Sequence, residues 1–208
     1  MQLIGMLDSP YVRRVAISLK LMGMPFEHHS VSVFRHFDRF SAINPVVKAP
    51  TLVCDDGETL MDSTLILGYL EAIAGPAHSL MPSSSAPDHI AHRDALKLIG
   101  LGLAADEKAV QRYYELNLRP EDKQHRPWIE RVTGQLFAAL DLIEPIAAKA
   151  SPWLMGKRIL QPDVTITTAW RFTHFVMPGL LEESRYPALR ALSARTEALP
   201  EFLSTPLD

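Results

Sequence analysis

Residues 8–14, which read Asp-Ser-Pro-Tyr-Val-Arg-Arg, mark the change from a first strand to a first helix. They follow an apolar run between Leu3 and Leu7 that suits a buried strand. Ser9 is placed to cap the helix, and Pro10 suits the first turn, where a missing N–H is no loss. Apolar residues then recur at helical spacing as far as Gly23, which is typical of a helix end. These residues predict a strand followed at once by a helix.

The residues on either side complete a small α/β domain. Residues 26–31 favour a second strand, and residues 51–54 and 58–61 flank a hairpin turn. Residues 62–74 have the pattern of a further helix, which Gly75 and Pro76 end. This βαβ–ββα order is the thioredoxin-like arrangement, with a mixed four-stranded sheet.

The rest of the chain is helical in pattern. We expect a thioredoxin-like domain over residues 1–75, a proline- and serine-rich linker over 76–87, and an all-α helical-bundle domain over 88–208. Pro145 should kink its helix or end it early. The predicted helices cover residues 88–117, 127–149, 162–176 and 187–199.

Composition limits the functional classes. The chain has 208 residues, 47% of them hydrophobic, and a formal net charge of -3, which provides no field to gather nucleic acid or anionic membrane. It shows neither a signal peptide nor a spanning segment, so we expect a cytoplasmic protein. The one cysteine, Cys54, excludes an intrachain disulfide and is expected to be a small buried side chain. The histidine pair His89 and His92 lacks a third ligand, so no metal site is predicted.

Three short segments carry candidate chemistry. Unsatisfied N–H groups at the start of the first helix favour negative charge, so Ser9 could stabilise a thiolate, or it could only cap the helix. If the Ala49–Pro50 bond is cis, the Ala49 backbone could pair with an extended peptide; otherwise Pro50 simply begins a strand. Asp62 and Ser63 could hold an ammonium and a carboxylate, or one of them could merely cap the next helix.

Together these segments resemble the soluble glutathione transferase family. Residues 9–15 resemble the catalytic helix start of its serine-type bacterial members, and residues 44–52, 62–63 and 69–71 are similar to its glutathione-site frame. Residues 153–164 resemble a late folding motif of its helical domain. The resemblance implies that Ser9 activates the thiol of glutathione, that Ala49 beside Pro50 pairs with its backbone, and that Asp62 with Ser63 holds its γ-glutamyl group. Lys48 and His36 are the candidates for the other carboxylate.

Two positions depart from the family pattern. The late motif usually has serine or threonine three residues before its aspartate, but Leu160 stands there. Asp163 must then cap its helix alone, or the helix starts differently. At position 62 the family more usually has glutamate or glutamine, so the reach of Asp62 to the ligand amine is shorter. The basic pair Arg13 and Arg14 is expected to have one solvated and one internally paired member.

The family also implies a second-substrate pocket between the two domains. Its candidate residues are Leu7, Tyr11, Tyr113 and Trp170, although each of them could be plain core. We expect a homodimeric detoxification enzyme that activates the glutathione thiolate for attack on a small hydrophobic electrophile, with glutathione as co-substrate and no further cofactor. Peroxidase, dehalogenase and isomerase chemistry stay open, the last disfavoured because its usual Ser-Ser-Cys start is absent. The rival class is a non-catalytic binding or assembly protein with the same fold.

Overall fold

The computed structural model describes residues 1–83 and 89–207 and divides the chain into two compact units. Of the described residues, the first unit comprises 1–81 and 198–207, and the second comprises 82–83 and 89–197. Residues 198–207 thus belong with the first unit, whereas the sequence-based division grouped them with the helical domain. Residues 84–87 of the expected linker and Asp88 at the expected start of a helix lie outside the described residues.

The first unit has the expected mixed sheet with helices. Its described residues contain four strands, β1 (Gln2–Ile4), β2 (Glu27–His29), β3 (Thr51–Val53) and β4 (Thr59–Met61), which pair in the order β2-β1-β3-β4. Strands β1 and β2 are parallel, and the other pairs are antiparallel. The thioredoxin-like fold is therefore confirmed. Helix α2 (Phe37–Ile43), in the segment after β2, was not predicted, because only Phe40 of its seven residues is buried and its sequence has no amphipathic pattern. The helices on either side of this segment in the chain are α1 (Pro10–Leu21), between β1 and β2, and α3 (Ser63–Ala74), after β4.

The register of the sheet places three chain segments at one edge. Ile4 pairs with Thr51, and Thr51 pairs with Met61, so the end of β1, the start of β3 and the end of β4 form one row. His29, the last residue of β2, extends the row beside Ile4. The loop before α1, the segment before β3 and the start of α3 therefore emerge at the same edge.

The second unit is helical, as predicted. Its helices are α4 (His89–Asn117), α5 (Arg126–Ala147), α6 (Gln161–Val176) and α7 (Pro187–Glu197), with 3-10 turns at Glu121–Lys123 and Glu183–Arg185. Helix α5 continues through Pro145 and ends two residues later. The core of the second unit includes Leu136, Leu140 and Ile143 of α5 and Trp170 of α6.

Asp163 caps α6 without a serine or threonine partner. Its Oδ2 accepts from the Leu160 N–H at 3.0 Å, and its Oδ1 accepts from the Leu154 N–H at 2.9 Å. The expectation that Asp163 caps alone is confirmed, since the leucine side chain at the N-cap can accept no bond. One carboxylate thereby joins the start of α6 to the glycine turn before it.

The end of the chain packs on α1. The short helix α8 (Pro200–Leu203) buries Phe202, and the Arg13 guanidinium lies 5.7 Å from the centre of its ring. Arg13 Nε also donates to the Thr205 carbonyl at 2.8 Å. Arg13 and Arg14 are 2% and 1% exposed, so the expectation that one of them is solvated is wrong. Long-range partners, invisible in a local pattern, bury both.

Candidate active site

Ser9 lies where the loop after β1 enters α1. It is the N-cap of α1, and its Oγ accepts from the Val12 N–H at 3.4 Å. The side chain is half-buried, and within the described residues its O–H donates to no protein group. A hydroxyl can accept and donate at once, so the cap leaves its hydrogen available to a thiolate. The two interpretations of Ser9 are therefore compatible.

Gly5, in the loop before α1, packs against two other segments at this edge of the sheet. Its φ of 140° favours glycine, and an added Cβ would lie 2.6 Å from Val12 Cγ2 and 3.2 Å from Ala49 Cβ. The absence of a side chain thus lets α1 and the segment before β3 pack directly on the backbone of this residue.

The segment before β3 is held by a polar network. Asn44 Nδ2 donates to Thr51 Oγ1 at 2.8 Å, and Thr51 Oγ1 donates to the Lys48 carbonyl at 2.8 Å. The Ala49–Pro50 bond is cis, as the resemblance implies. Within the described residues the backbone N–H and C=O of Ala49 make no hydrogen bond, and the residue is half-buried. This peptide unit is therefore available to pair with an added strand.

Asp62 occupies a strained position at the start of α3. Its φ is 72°, its Oδ1 accepts from the Thr64 N–H at 2.9 Å, and its Oδ2 lies 3.3 Å from Lys48 Nζ. Partial burial raises the pKa of Asp62, but the Thr64 N–H and the Lys48 ammonium outweigh it and hold the pKa below its ordinary value. Asp62 therefore stays ionised beside Lys48, and these two candidate residues form one ion pair.

Arg14 joins α1 to the start of α3, and sequence reasoning missed this contact. Arg14 Nη1 donates to Ser63 Oγ at 3.2 Å and to Thr64 Oγ1 at 3.3 Å. Ser63 is buried, and a hydroxyl that accepts from arginine can still donate its hydrogen to a ligand carboxylate. The signal that could have revealed the contact is the helical phase of Arg14, which lies among the apolar residues of α1.

The remaining candidate residues lie in different surroundings. His36 is exposed, and its Nδ1 accepts from the Ser32 N–H at 3.2 Å, so its ring belongs to the turn before α2. In the first unit Leu7 is buried and Tyr11 is half-buried. In the second unit Tyr113 on α4 is half-buried, whereas Trp170 is 3% exposed in the core.

Trp170 makes edge-on ring contacts with His174 and Tyr186, at centroid distances of 4.6 and 5.9 Å. These contacts, together with its burial, explain its position by packing within the second unit.

Over residues 1–83 and 89–207, no group of three or more His, Cys, Asp or Glu side chains is placed to hold a metal ion. None of the helices described there has the length and apolar character needed to cross a bilayer.

Both units match models of known protein families. Residues 3–78 match the model of the glutathione S-transferase N-terminal domain, and residues 126–195 match the model of the glutathione S-transferase C-terminal domain. The two matches follow each other in the order that one two-domain family prescribes, and together they span most of the chain.

Individual relatives cover nearly the full length. A probable maleylacetoacetate isomerase of Vibrio cholerae is 28% identical, over 96% of this chain and 92% of its own. A glutathione S-transferase of Methylobacterium radiotolerans, solved in complex with glutathione sulfonate, is 27% identical with a TM-score of 0.83 over 98% of this chain and 93% of its own. A glutathione transferase family member of Pseudomonas fluorescens Pf-5 with bound glutathione is 26% identical with a TM-score of 0.83, over 100% of this chain and 98% of its own.

Proposed function

The chain belongs to the glutathione S-transferase family, and on this premise we propose that it binds glutathione at the sheet edge and activates its thiol through Ser9. The observation that carries the proposal is the row Ile4–Thr51–Met61, because it brings Ser9, the Ala49 peptide and the start of α3 to one edge. Relatives with glutathione or its sulfonate bound support the choice of ligand.

Ser9 supplies the proposed chemistry. A thiolate beside the N-terminus of α1 receives the Ser9 O–H and the favourable end of the helix dipole, while Val12 N–H fixes the serine oxygen. Both interactions favour the anion over the thiol, so they lower the thiol pKa. Lowering it by about two units corresponds to about 2.7 kcal/mol of anion stabilisation, which a hydroxyl and a helix terminus can provide.

The rest of the tripeptide would occupy the other two segments. Its backbone pairs with the Ala49 peptide, and its γ-glutamyl group takes the start of α3, with the ammonium on Asp62 and the carboxylate on Ser63. Lys48 Nζ already lies 3.3 Å from Asp62 Oδ2, so the ammonium of the ligand competes with Lys48 for this carboxylate. The displaced Lys48 ammonium can then pair with the other carboxylate of the ligand. His36 and the cis Pro50 complete this proposed glutathione site.

The decisive experiment measures the thiol pKa of bound glutathione from its ultraviolet thiolate band. We expect a pKa about two units below that of free glutathione in the wild type and a value close to the free one in Ser9→Ala. Ser9→Thr, which keeps the hydroxyl and the cap, is the matched control. A normal thiol pKa in wild type with bound glutathione would favour the rival, a non-catalytic binding protein, and failure to bind glutathione would reject the proposal.

The electrophile is proposed to be small and hydrophobic, and the candidate contacts that the first unit offers are Leu7 and Tyr11. Isomerisation is the second candidate reaction, favoured by the relative in Vibrio cholerae. A parallel assay with an aryl halide acceptor and with maleylacetoacetate separates them, because only the first forms a stable glutathione conjugate. We expect conjugation to be the faster reaction.

A homodimer in the cytoplasm completes the proposal. Leu65, Tyr69 and Ile73 lie at helical spacing on α3 and are 69%, 38% and 49% exposed, which makes an apolar stripe suited to a second copy. We expect light scattering to give twice the chain mass, and the monomer mass for Leu65→Lys with Ile73→Lys. A wild-type monomer at micromolar concentration would exclude the dimer.

A further inference from the structure

We propose that His28, on β2, is a positioning residue that holds the loop carrying Ser9 at the sheet edge. The inference rests on the proposed function, since its consequence is felt in thiol activation. It arises from a contact that involves none of the candidate residues recognised in the sequence.

His28 makes a short hydrogen bond to the first residue of that loop. Its Nε2 lies 2.7 Å from the Gly5 carbonyl oxygen, and the side chain is half-buried. A carbonyl oxygen can only accept, so Nε2 carries the hydrogen and donates it. The Gly5 N–H donates in turn to the His29 carbonyl at 3.0 Å. β2 therefore holds both polar backbone groups of Gly5.

Gly5 transmits this restraint in two directions. Its Cα packs so closely on Val12 and Ala49 that a methyl group there would lie 2.6 Å from the valine side chain and 3.2 Å from the alanine Cβ. Val12 belongs to α1 and donates the N–H that fixes Ser9 Oγ. A shift of Gly5 thus moves the helix start and the proposed peptide-pairing segment together.

The loop is short, and the bond from His28 acts on its first peptide unit. Only three residues separate Gly5 from Ser9, and Ser9 N–H donates back to the Met6 carbonyl at 3.2 Å. The hydrogen bond from His28 fixes the orientation of the peptide that begins this tight turn. His28 is therefore expected to set where the serine hydroxyl points without touching the substrate.

The test is His28→Leu, which replaces the ring with an apolar side chain of comparable size and removes the donor. We expect the bound-thiol pKa to rise by about one unit and kcat/KM to fall about tenfold, because small misplacements of a reacting group have effects of this order or larger. Glu27→Gln, an exposed position on the same strand, is the control and should retain the wild-type thiol pKa.

A second pair of variants separates positioning from general folding. His28→Gln places an amide donor near the position of Nε2, and His28→Glu has the same length but presents only acceptors. We expect Gln to restore the wild-type thiol pKa and Glu to raise it by at least as much as Leu. Folding of each variant is checked by urea unfolding, and if the Leu variant is unfolded the Gln and Glu pair decides.

The outcomes distinguish this inference from the function on which it rests. A wild type that leaves the bound thiol at its normal pKa rejects the proposed function. A wild type that lowers the pKa, together with folded Leu or Glu variants that lower it equally, rejects the role of His28.

Discussion

Asp62 makes two separate contacts, one with each carboxylate oxygen. It caps α3 through Oδ1 and pairs with Lys48 through Oδ2, and it does so at a φ of 72°, where L residues are uncommon. Such strain persists only where the surroundings impose it, and it is concentrated at functional sites. The strained conformation of Asp62 supports its proposed role in binding glutathione.

Asp62→Asn separates the two tasks. The amide oxygen can still accept from the Thr64 N–H, and asparagine tolerates positive φ, so we expect the unfolding free energy to change by less than about 1 kcal/mol. The lost charge removes the partner of the ligand ammonium, so the Kd for glutathione should rise about tenfold or more by calorimetry.

Asp56→Asn is the matched control for Asp62→Asn. Asp56 Oδ1 accepts from the Glu58 N–H at 3.1 Å, the same spacing of two residues, but it lies in the hairpin turn away from the site edge. Equal weakening of glutathione binding by the two variants would contradict the role of Asp62.

We expect Asp163 to make the stability of the second unit depend on pH. Burial raises its pKa from 3.8 to about 6, against the lowering effect of the N–H groups of Leu154 and Leu160. Because the folded state then binds the proton more tightly than the unfolded state, this group favours folding most below pH 4, and the benefit is lost as pH rises toward 6. The shift corresponds to about 3 kcal/mol.

Urea unfolding of wild type and Asp163→Asn at pH 4, 5, 6 and 7 isolates this effect, since other titrating groups cancel in the difference. We expect the wild type to lose stability relative to the variant between pH 4 and 6 and no further change above about pH 7. A difference independent of pH would show that the carboxyl group has an ordinary pKa.

Among the elements, the crossing of α4 and α6 depends on one glycine. A Cβ on Gly102 would lie 3.0 Å from Thr165 Cγ2 and 3.2 Å from Ile166 Cγ1. Gly100, two residues earlier on α4, is exposed and has nothing within 4 Å of its Cβ position. The same residue type thus serves close helix packing at one position and nothing visible at the other.

We expect substitutions at these two glycines to change the unfolding free energy in opposite directions. Gly100→Ala should raise the unfolding free energy by about 0.5 to 1 kcal/mol, because alanine is the better helix former. Gly102→Val should lower it by about 1 to 3 kcal/mol, since its side chain must displace α6. Urea unfolding of both variants is the measurement, and similar values for the two would refute close packing at Gly102.

For the molecule as a whole, the chain end completes the first unit. Phe202 is 1% exposed beneath Arg13, whereas its neighbour Leu203 is 67% exposed. We expect Phe202→Ala to lower the unfolding free energy by about 3 to 5 kcal/mol, and Leu203→Ala to change it by about 0.5 kcal/mol or less. Comparable losses from both variants, measured by urea unfolding, would mean that α8 contributes no specific packing.

The local pattern of the chain was enough for the thioredoxin-like order, the position of Ser9 at a helix start and the lone cap at Asp163. These features depend on propensities and caps that act over a few neighbouring residues. Four features were decided only by the tertiary structure. They are the pairing of Lys48 with Asp62, the bond from His28 to Gly5, the burial of both arginines and the packing of residues 198–207 with the first unit. Each joins groups 14 to 192 positions apart, and such contacts are set by strand register and packing, which no local stretch of sequence encodes.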